Sequence, residues 1–198
     1  MSPGDLYLDV GCGYGRITHQ LEKRGAKTAG IDLNFKELRL GHQSSPNVLF
    51  VQAYGEQIPF QNEQFDGAVM LGVLGAVGIE ARRKIFAATV KTLKPGGLLY
   101  VAEFAMIYDP AVTTRLDNVP WTDVYRRDNQ VTGEYGSVVV HNNDGSTHFV
   151  GHHFTYDEFL FLFRGAGVAP IASERVAVQS NVSGATRDTW TMWGHKAR

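Results

Sequence analysis

The sequence predicts an α/β fold, a doubly wound and mostly parallel sheet with helices on both faces and an antiparallel last strand. Three observations carry this. Strand-like and helix-like stretches alternate at short intervals through the first half of the chain, the pattern of successive βαβ units. A turn containing Gly11, Gly13 and Gly15 follows the first strand-like run directly. The chain closes on two strand-like runs joined by a polar loop, as an antiparallel hairpin requires.

The elements follow in order. Leu6-Tyr7-Leu8-Asp9-Val10 reads as a buried strand ended by the glycines. A helix follows with Ile17 and Leu21 on one face and Gly25 as its stop. Lys27 to Ile31 is a second strand, and Asn34 with Glu37 three residues later marks a helix start. Val48 to Val51 and Phe65 to Leu71 are the third and fourth strands. Glu80 to Leu93 is a helix with Ile85, Phe86, Val90 and Leu93 on its apolar side. Lys94-Pro95-Gly96-Gly97 breaks it, and Leu98 to Phe104 forms the fifth strand.

Residues 106–153 then form an insert rich in aromatic and turn residues, without helical periodicity. Inside it, Asp144-Gly145 between two strand-like runs signals a β-hairpin. Thr155-Tyr156-Asp157-Glu158 is a capping box opening a helix through Phe163. Ile171 to Val178 and Thr189 to His195 are the closing strands.

With 198 residues, the chain reads as a single domain, 1–198, the insert lying within it. A net charge of −1 gives no global pull toward nucleic acid or anionic membrane. Cys12 is the single cysteine, so neither an intramolecular disulfide nor a cysteine-built zinc site is expected. No apolar run approaches the ~20 residues of a membrane span. The N-terminal residues lack the pattern of a signal peptide. These features predict a cytoplasmic protein without a membrane partner.

The glycine turn is the most informative stretch. Its spacing is Gly-x-Gly-x-Gly, with Asp9 two residues before the first glycine and Arg16 where a dinucleotide fingerprint wants a small residue. Asp32 ends the second strand, about 20 residues on, where an acid accepts the hydroxyls of an adenosine ribose.

In these pieces, and in their order, the chain resembles the class I S-adenosylmethionine-dependent methyltransferases, in the branch of the ubiquinone/menaquinone-biosynthesis enzymes (methyltransferase type 11). The matching pieces are Asp9 to Gly15, Gly30-Ile31-Asp32, Val51 to Phe60 leading into Phe65-Asp66, Gly72-Val73-Leu74, and Leu93 to Gly97. The resemblance implies a Rossmann-like fold, S-adenosylmethionine as cofactor and S-adenosylhomocysteine as product. It implies that Gly11, Cys12, Gly13, Tyr14 and Gly15 hold the methionine part, with Asp9 near its amino group. Asp32 would hold the ribose, Leu33 would pack on the adenine, and Leu71 would line the far side.

The sequence departs from the family at Tyr54, where an acid usually accepts the adenine amino group. Tyr54 itself, Gly55 or Glu56 then supplies the adenine contact. A second departure is Gly75-Ala76, small residues that leave room for an acceptor.

The implied reaction is in-line methyl transfer to a small molecule, with no metal required. Candidate bases are few. His141, His148, His152 and His153 read foremost as hairpin or cap residues facing water, with His153 the one placed in a catalytic role. Glu103 reads as a solvated strand-end acid or a second candidate. Tyr108, Trp121, Tyr125 and Tyr135 suit an apolar lid, and Phe159, Phe161 and Phe163 suit packing on the sheet. With five residues before the first strand, cover for the site is expected from residues 106–153 or from a second subunit, as in a homodimer. The insert holds Arg115, Arg126 and Arg127 against six acids, which gives a phosphate backbone little attraction. An RNA or protein methyltransferase, a nicotinamide-dependent oxidoreductase and a non-catalytic cofactor-binding module remain as alternatives. Binding of S-adenosylhomocysteine but not NAD separates the oxidoreductase from the rest.

Overall fold

In chain order the protein runs β1 (Leu6–Val10), α1 (Arg16–Lys23), β2 (Lys27–Asp32), α2 (Phe35–Ser44), β3 (Leu49–Gln52) and β4 (Phe65–Leu71). A 3₁₀ turn at Leu74–Ala76 leads to α3 (Ile79–Thr92), β5 (Leu93–Phe104), α4 (Trp121–Thr132), β6 (Ser137–His141) and β7 (Thr147–His152). α5 (Tyr156–Gly165), β8 (Val168–Gln179) and β9 (Thr186–Lys196) complete it. This computed structural model describes all residues except 1, 109, 112–113, 115–117, 143 and 180–185, so Arg115 lies outside the described residues.

Seven strands form one sheet in the order β3-β2-β1-β4-β5-β9-β8. β1 to β5 pair in parallel, and β9 runs antiparallel to both of its neighbours. From β1 the chain winds outward through β2 and β3, then returns to β4 and winds the other way to β5. Right-handed crossovers therefore send α1 and α2 to one face and α3 to the other. The same reversal opens a crevice beyond the C-terminal ends of β1 and β4.

The core lies along this sheet. Leu8, Met70, Leu99 and Val101 from the strands meet Phe86 of α3 and Phe163 of α5, whose rings pack edge to face at 5.3 Å. Burial of each such side chain stabilises by roughly 1.5–3 kcal/mol. In α5, Phe159 and Phe163 stand one turn apart on the buried face, whereas Phe161 on the opposite face is exposed.

Local signals set several boundaries. Asn34 Oδ1 accepts the N–H groups of Lys36 and Glu37 at 3.1 and 3.4 Å. Thr155 and Glu158 exchange the two bonds of a capping box, at 3.2 and 2.7 Å. Lys94 to Gly97 interrupts the ladder without ending the strand, because Phe65 pairs with Leu93 and Gly67 with Leu98. β5 is therefore longer than its expected start at Leu98.

The insert corrects one expectation, since residues 121–132 are helical. The inward stripe of α4 is the half-buried Trp121 with the buried Val124, Tyr125 and Asp128, a spacing of i, i+3, i+4 and i+7 whose last member is an acid. Asp128 Oδ2 accepts the Val139 N–H at 2.8 Å, which fastens α4 to β6. A polar residue in the stripe hid the helical period. β6 and β7 form the expected separate hairpin, with Gly145 at φ 83° in its turn. Its exit is tied to the main sheet by Phe154 N–H to Phe104 O (2.7 Å) and Met106 N–H to Phe154 O (2.8 Å).

Candidate active site

The glycine turn occupies the crevice beside β1. Gly11 stands at φ 69°, and a side chain there would collide with Val73 from the loop after β4. The two loops thus approach as closely as backbone allows. Gly11 and Cys12 donate to Ile31 O at 2.8 and 3.0 Å, fixing the turn against the end of β2. Asp32 completes this fixation. Its Oδ2 accepts the Gly13 N–H and its Oδ1 the Asn34 N–H, each at 2.8 Å. A carboxylate has about four acceptor positions, so each oxygen keeps capacity for a ligand hydroxyl.

A cleft of about 320 Å³ opens here. Of the residues expected to hold a cofactor, Gly11, Asp32, Leu33, Gly55 and Glu56 line it. Gly13, Gly15 and Cys12 shape the turn behind it. Asp9 is buried beneath, where its Oδ2 accepts both the N–H (3.0 Å) and the hydroxyl (2.6 Å) of Thr18 at the start of α1. Burial pushes the pKa of Asp9 up to about 6, against those two bonds. Tyr14 and Tyr54 project into solvent, and neither they nor Leu71 line the cleft. The adjoining Gly72 lines it instead, with Val73, Ala76, Val77 and Ile85 forming the far wall. Of these, Gly72 and Val73 were visible as a matching motif, whereas Ile85 read only as a core position of α3. Apolar walls, a backbone turn and a carboxylate with spare acceptor capacity fit a nucleoside.

A second cavity of about 330 Å³ adjoins the first and shares Gly72 and Ala76 with it. Its walls come from the hairpin (Val138, Val140, Phe149), from Trp121 and from Phe104. Of the four aromatics expected to form a lid, Trp121 alone lines this space. Tyr125 is fully buried beneath it, while Tyr108 and Tyr135 are half-exposed. Ala76 supplies the expected room. Gly75 does not, because a Cβ there would meet the His152 carbonyl at 2.8 Å and Glu103 Oε2 at 3.0 Å.

Glu103 is a correction, being fully buried rather than solvated. Its carboxylate accepts three consecutive N–H groups, from Val73 (2.8 Å), Leu74 (2.6 Å) and Gly75 (3.1 Å). It therefore holds the turn that borders both cavities. Burial pushes its pKa up to about 7, against the three donors.

The histidines divide. His141 and His148 face water as expected, but His152 and His153 are buried. His153 Nδ1 lies 2.7 Å from the Tyr125 hydroxyl, which also accepts the Ile107 N–H at 3.2 Å. With that N–H donating to the phenol oxygen, the phenol hydrogen is directed to Nδ1, so the neutral ring carries its proton on Nε2. Burial first, then Arg187 and His152, lower the His153 pKa to about 3.

His152 belongs to a different network. Its Nδ1 meets Ser137 Oγ at 3.2 Å and its Nε2 meets Glu158 Oε1 at 3.1 Å. Ser137 passes to Glu134, which pairs with the buried Arg82 at 2.6 Å. Glu134 and Glu158 approach opposite ring nitrogens of His152, which suits hydrogen bonding rather than convergence on one ion.

Two of the buried groups lining the second cavity, Glu103 and His153, give opposite pH dependences. Glu103 has a raised folded pKa, so its contribution to stability is complete below its ordinary 4.5 and lost as pH rises through about 7. His153 has a lowered one, so its contribution is complete above 6.5 and lost as pH falls toward about 3. In Glu103→Gln, the urea midpoint should therefore fall with acid more steeply than in the wild type. In His153→Gln it should fall less steeply. Parallel midpoint-against-pH profiles for all three proteins would refute the assignment.

A reversed parallel sheet, a glycine turn after β1, a ribose-type acid after β2 and an antiparallel β9 define the methyltransferase class of Rossmann-like folds. Residues 8–101 match the family described as "Methyltransferase domain". Residues 8–101 thus carry this domain, and the whole chain has the fold of the class I S-adenosylmethionine-dependent methyltransferases. It is 28% identical over 103 residues to the demethylmenaquinone methyltransferase of Renibacterium salmoninarum, covering 52% of this chain and 43% of that one. It is 32% identical over 111 residues to a ubiquinone/menaquinone biosynthesis C-methyltransferase of Stutzerimonas stutzeri, again covering 52% and 43%. The matched part thus spans less than half the length of these relatives.

Among solved structures, an S-adenosylmethionine-dependent methyltransferase from Methanosarcina mazei superposes with a TM-score of 0.88 at 26% identity, covering 100% of this chain and 94% of that one. A 1,6-didemethyltoxoflavin-N1-methyltransferase from Burkholderia thailandensis, solved with its acceptor and S-adenosylhomocysteine, shares the fold with a TM-score of 0.69 at 20% identity, covering 99% and 72%. Among the described residues, no helix is long and apolar enough to cross a membrane.

Proposed function

We propose that the protein transfers the methyl group of S-adenosylmethionine to a small-molecule acceptor held in the cavity beneath the hairpin. One observation carries this reading: two cavities of similar size meet at Gly72 and Ala76, residues without bulk to divide them. The first suits a nucleoside, and the second is mainly apolar and aromatic. The names of the ubiquinone- and menaquinone-related relatives support an acceptor of small-molecule size. No lysine or arginine lines the cofactor cleft among the described residues, so a nucleic-acid backbone has no partner there.

Bound there, S-adenosylmethionine would supply an activated methyl group to the acceptor's electron pair, with S-adenosylhomocysteine as the leaving group. The protein's part is binding and alignment. Asp32 would accept the ribose hydroxyls, Leu33 and Ile85 would enclose the base, and the turn from Gly11 to Gly15 would border the methionine portion. Gly55 and Glu56 reach the adenine side in place of Tyr54. Trp121, Val138, Val140 and Phe149 exclude water from the acceptor. Orientation of this kind contributes roughly 7–11 kcal/mol in well-aligned cases. His153, with Nδ1 occupied and a low pKa, acts as a hydrogen-bond donor through Nε2 rather than as a base.

Calorimetry with S-adenosylhomocysteine, followed by transfer of labelled methyl into separate pools of small metabolites and RNA, tests this. The expected result is cofactor binding and label in the metabolite pool. Label in RNA alone, or no cofactor binding, would overturn it.

A further inference from the structure

The acceptor cavity has an uneven charge. Among the described lining residues, Arg187 on β9 is the one with a fixed positive charge. Its guanidinium sits 5.2 Å from the centre of the Phe104 ring. It makes no ion pair among the described residues, and the adjoining Asp188 carboxylate is taken by Arg175 at 2.9 Å. The cavity's own carboxylate does not neutralise it either. Glu103 spends its oxygens on three backbone N–H groups, and the cation that acts on it is Arg82.

Beside this cation stands a second donor. The His153 ring packs 5.9 Å from Phe104 and 5.0 Å from Trp121, centre to centre. Its Nδ1 is held by Tyr125, while Nε2 has no hydrogen-bond partner among the described residues. His153 is among the residues lining the cavity. An unpaired guanidinium and an N–H donor thus flank Phe104, next to the indole of Trp121.

We propose that this cavity selects a flat aromatic acceptor carrying an anionic group, which Arg187 and the Nε2–H of His153 hold together. The assignment rests on the methyltransferase reading and adds the acceptor's charge to it. Guanidinium suits a carboxylate or other oxyanion because its donors are fixed and always charged. The aromatic walls offer stacking area to a planar ring. The depressed pKa of His153 fits the same picture, since a neutral imidazole remains a donor on Nε2 across physiological pH.

The test compares 2-naphthoate with its neutral isostere 2-naphthamide by calorimetry, with and without saturating S-adenosylhomocysteine. The acid is expected to bind about tenfold or more tightly than the amide, as one charge-assisted contact gives. Arg187→Gln should bring the acid to the affinity of the amide while leaving S-adenosylhomocysteine binding unchanged. Arg187→Lys should restore part of the preference. Equal binding of acid and amide in the wild type, a preference that survives Arg187→Gln, or no binding of either probe would overturn the proposal. Failure of S-adenosylhomocysteine to bind is read separately and overturns the methyltransferase reading.

Discussion

Asp32→Ala is expected to weaken S-adenosylhomocysteine binding by about 100-fold or more, the loss of two charge-assisted bonds of roughly 1.5–3 kcal/mol each. Two effects act together. The ribose loses its acceptors, and the Gly13 and Asn34 N–H groups lose the carboxylate that ties the glycine turn to the start of α2. Asp32→Asn separates them. Its amide keeps one acceptor oxygen but turns an NH₂ group toward one of the two backbone donors. Its binding should therefore fall between wild type and alanine, with the turn partly retained. Calorimetry gives the affinities, and urea midpoints without ligand report the turn alone. Undiminished affinity in Asp32→Ala would remove the ribose assignment, and with it the main support for placing the nucleoside in this cleft.

What the sequence made legible here follows from how local each signal is. The turn at Gly11, Gly13 and Gly15 and the acid at Asp32 are governed by backbone geometry over a few residues. Their positions at the ends of β1 and β2 follow from chain order alone. The caps at Asn34 and Thr155 were legible for the same reason. α4 was not, because its inward face of Trp121, Val124 and Tyr125 ends in Asp128, whose partner Val139 lies outside the helix on β6. Pro120 before the helix and Gly133 at φ 69° after it were the available punctuation. The burial of His152, His153 and Glu103 depends on the hairpin closing over the end of β5. Glu103 meets its donors from 28 to 30 positions away, a distance over which no sequence period carries information. The acceptor cavity, built entirely of such remote meetings, was therefore visible only as an insert of the right composition.

Arg82→Met is expected to cost about 3–5 kcal/mol of stability, the range for breaking a buried charge pair by removing one partner. Arg82 is almost fully buried on α3 and donates from all three of its guanidinium nitrogens. Nε donates to Leu74 O at 3.0 Å, Nη2 to Val77 O at 3.0 Å, and Nη1 to Glu134 Oε1 at 2.6 Å. The head group also stacks at 4.9 Å from the centre of the Phe154 ring. Methionine keeps much of the volume but leaves two carbonyls and a carboxylate without their donor. The carbonyls belong to the segment 74–77, held from its other side by Glu103 and bordering both cavities. Cofactor affinity should therefore drop along with the urea midpoint, although Arg82 does not line the nucleoside cleft. Combining Arg82→Met with Glu134→Gln should recover part of the stability, since the isolated carboxylate is then neutral, but none of the affinity lost through the two carbonyls. A double mutant no more stable than Arg82→Met would place the cost on the carbonyls and the Phe154 contact. Unaltered S-adenosylhomocysteine affinity in both variants would show that the turn keeps its shape through Glu103 alone.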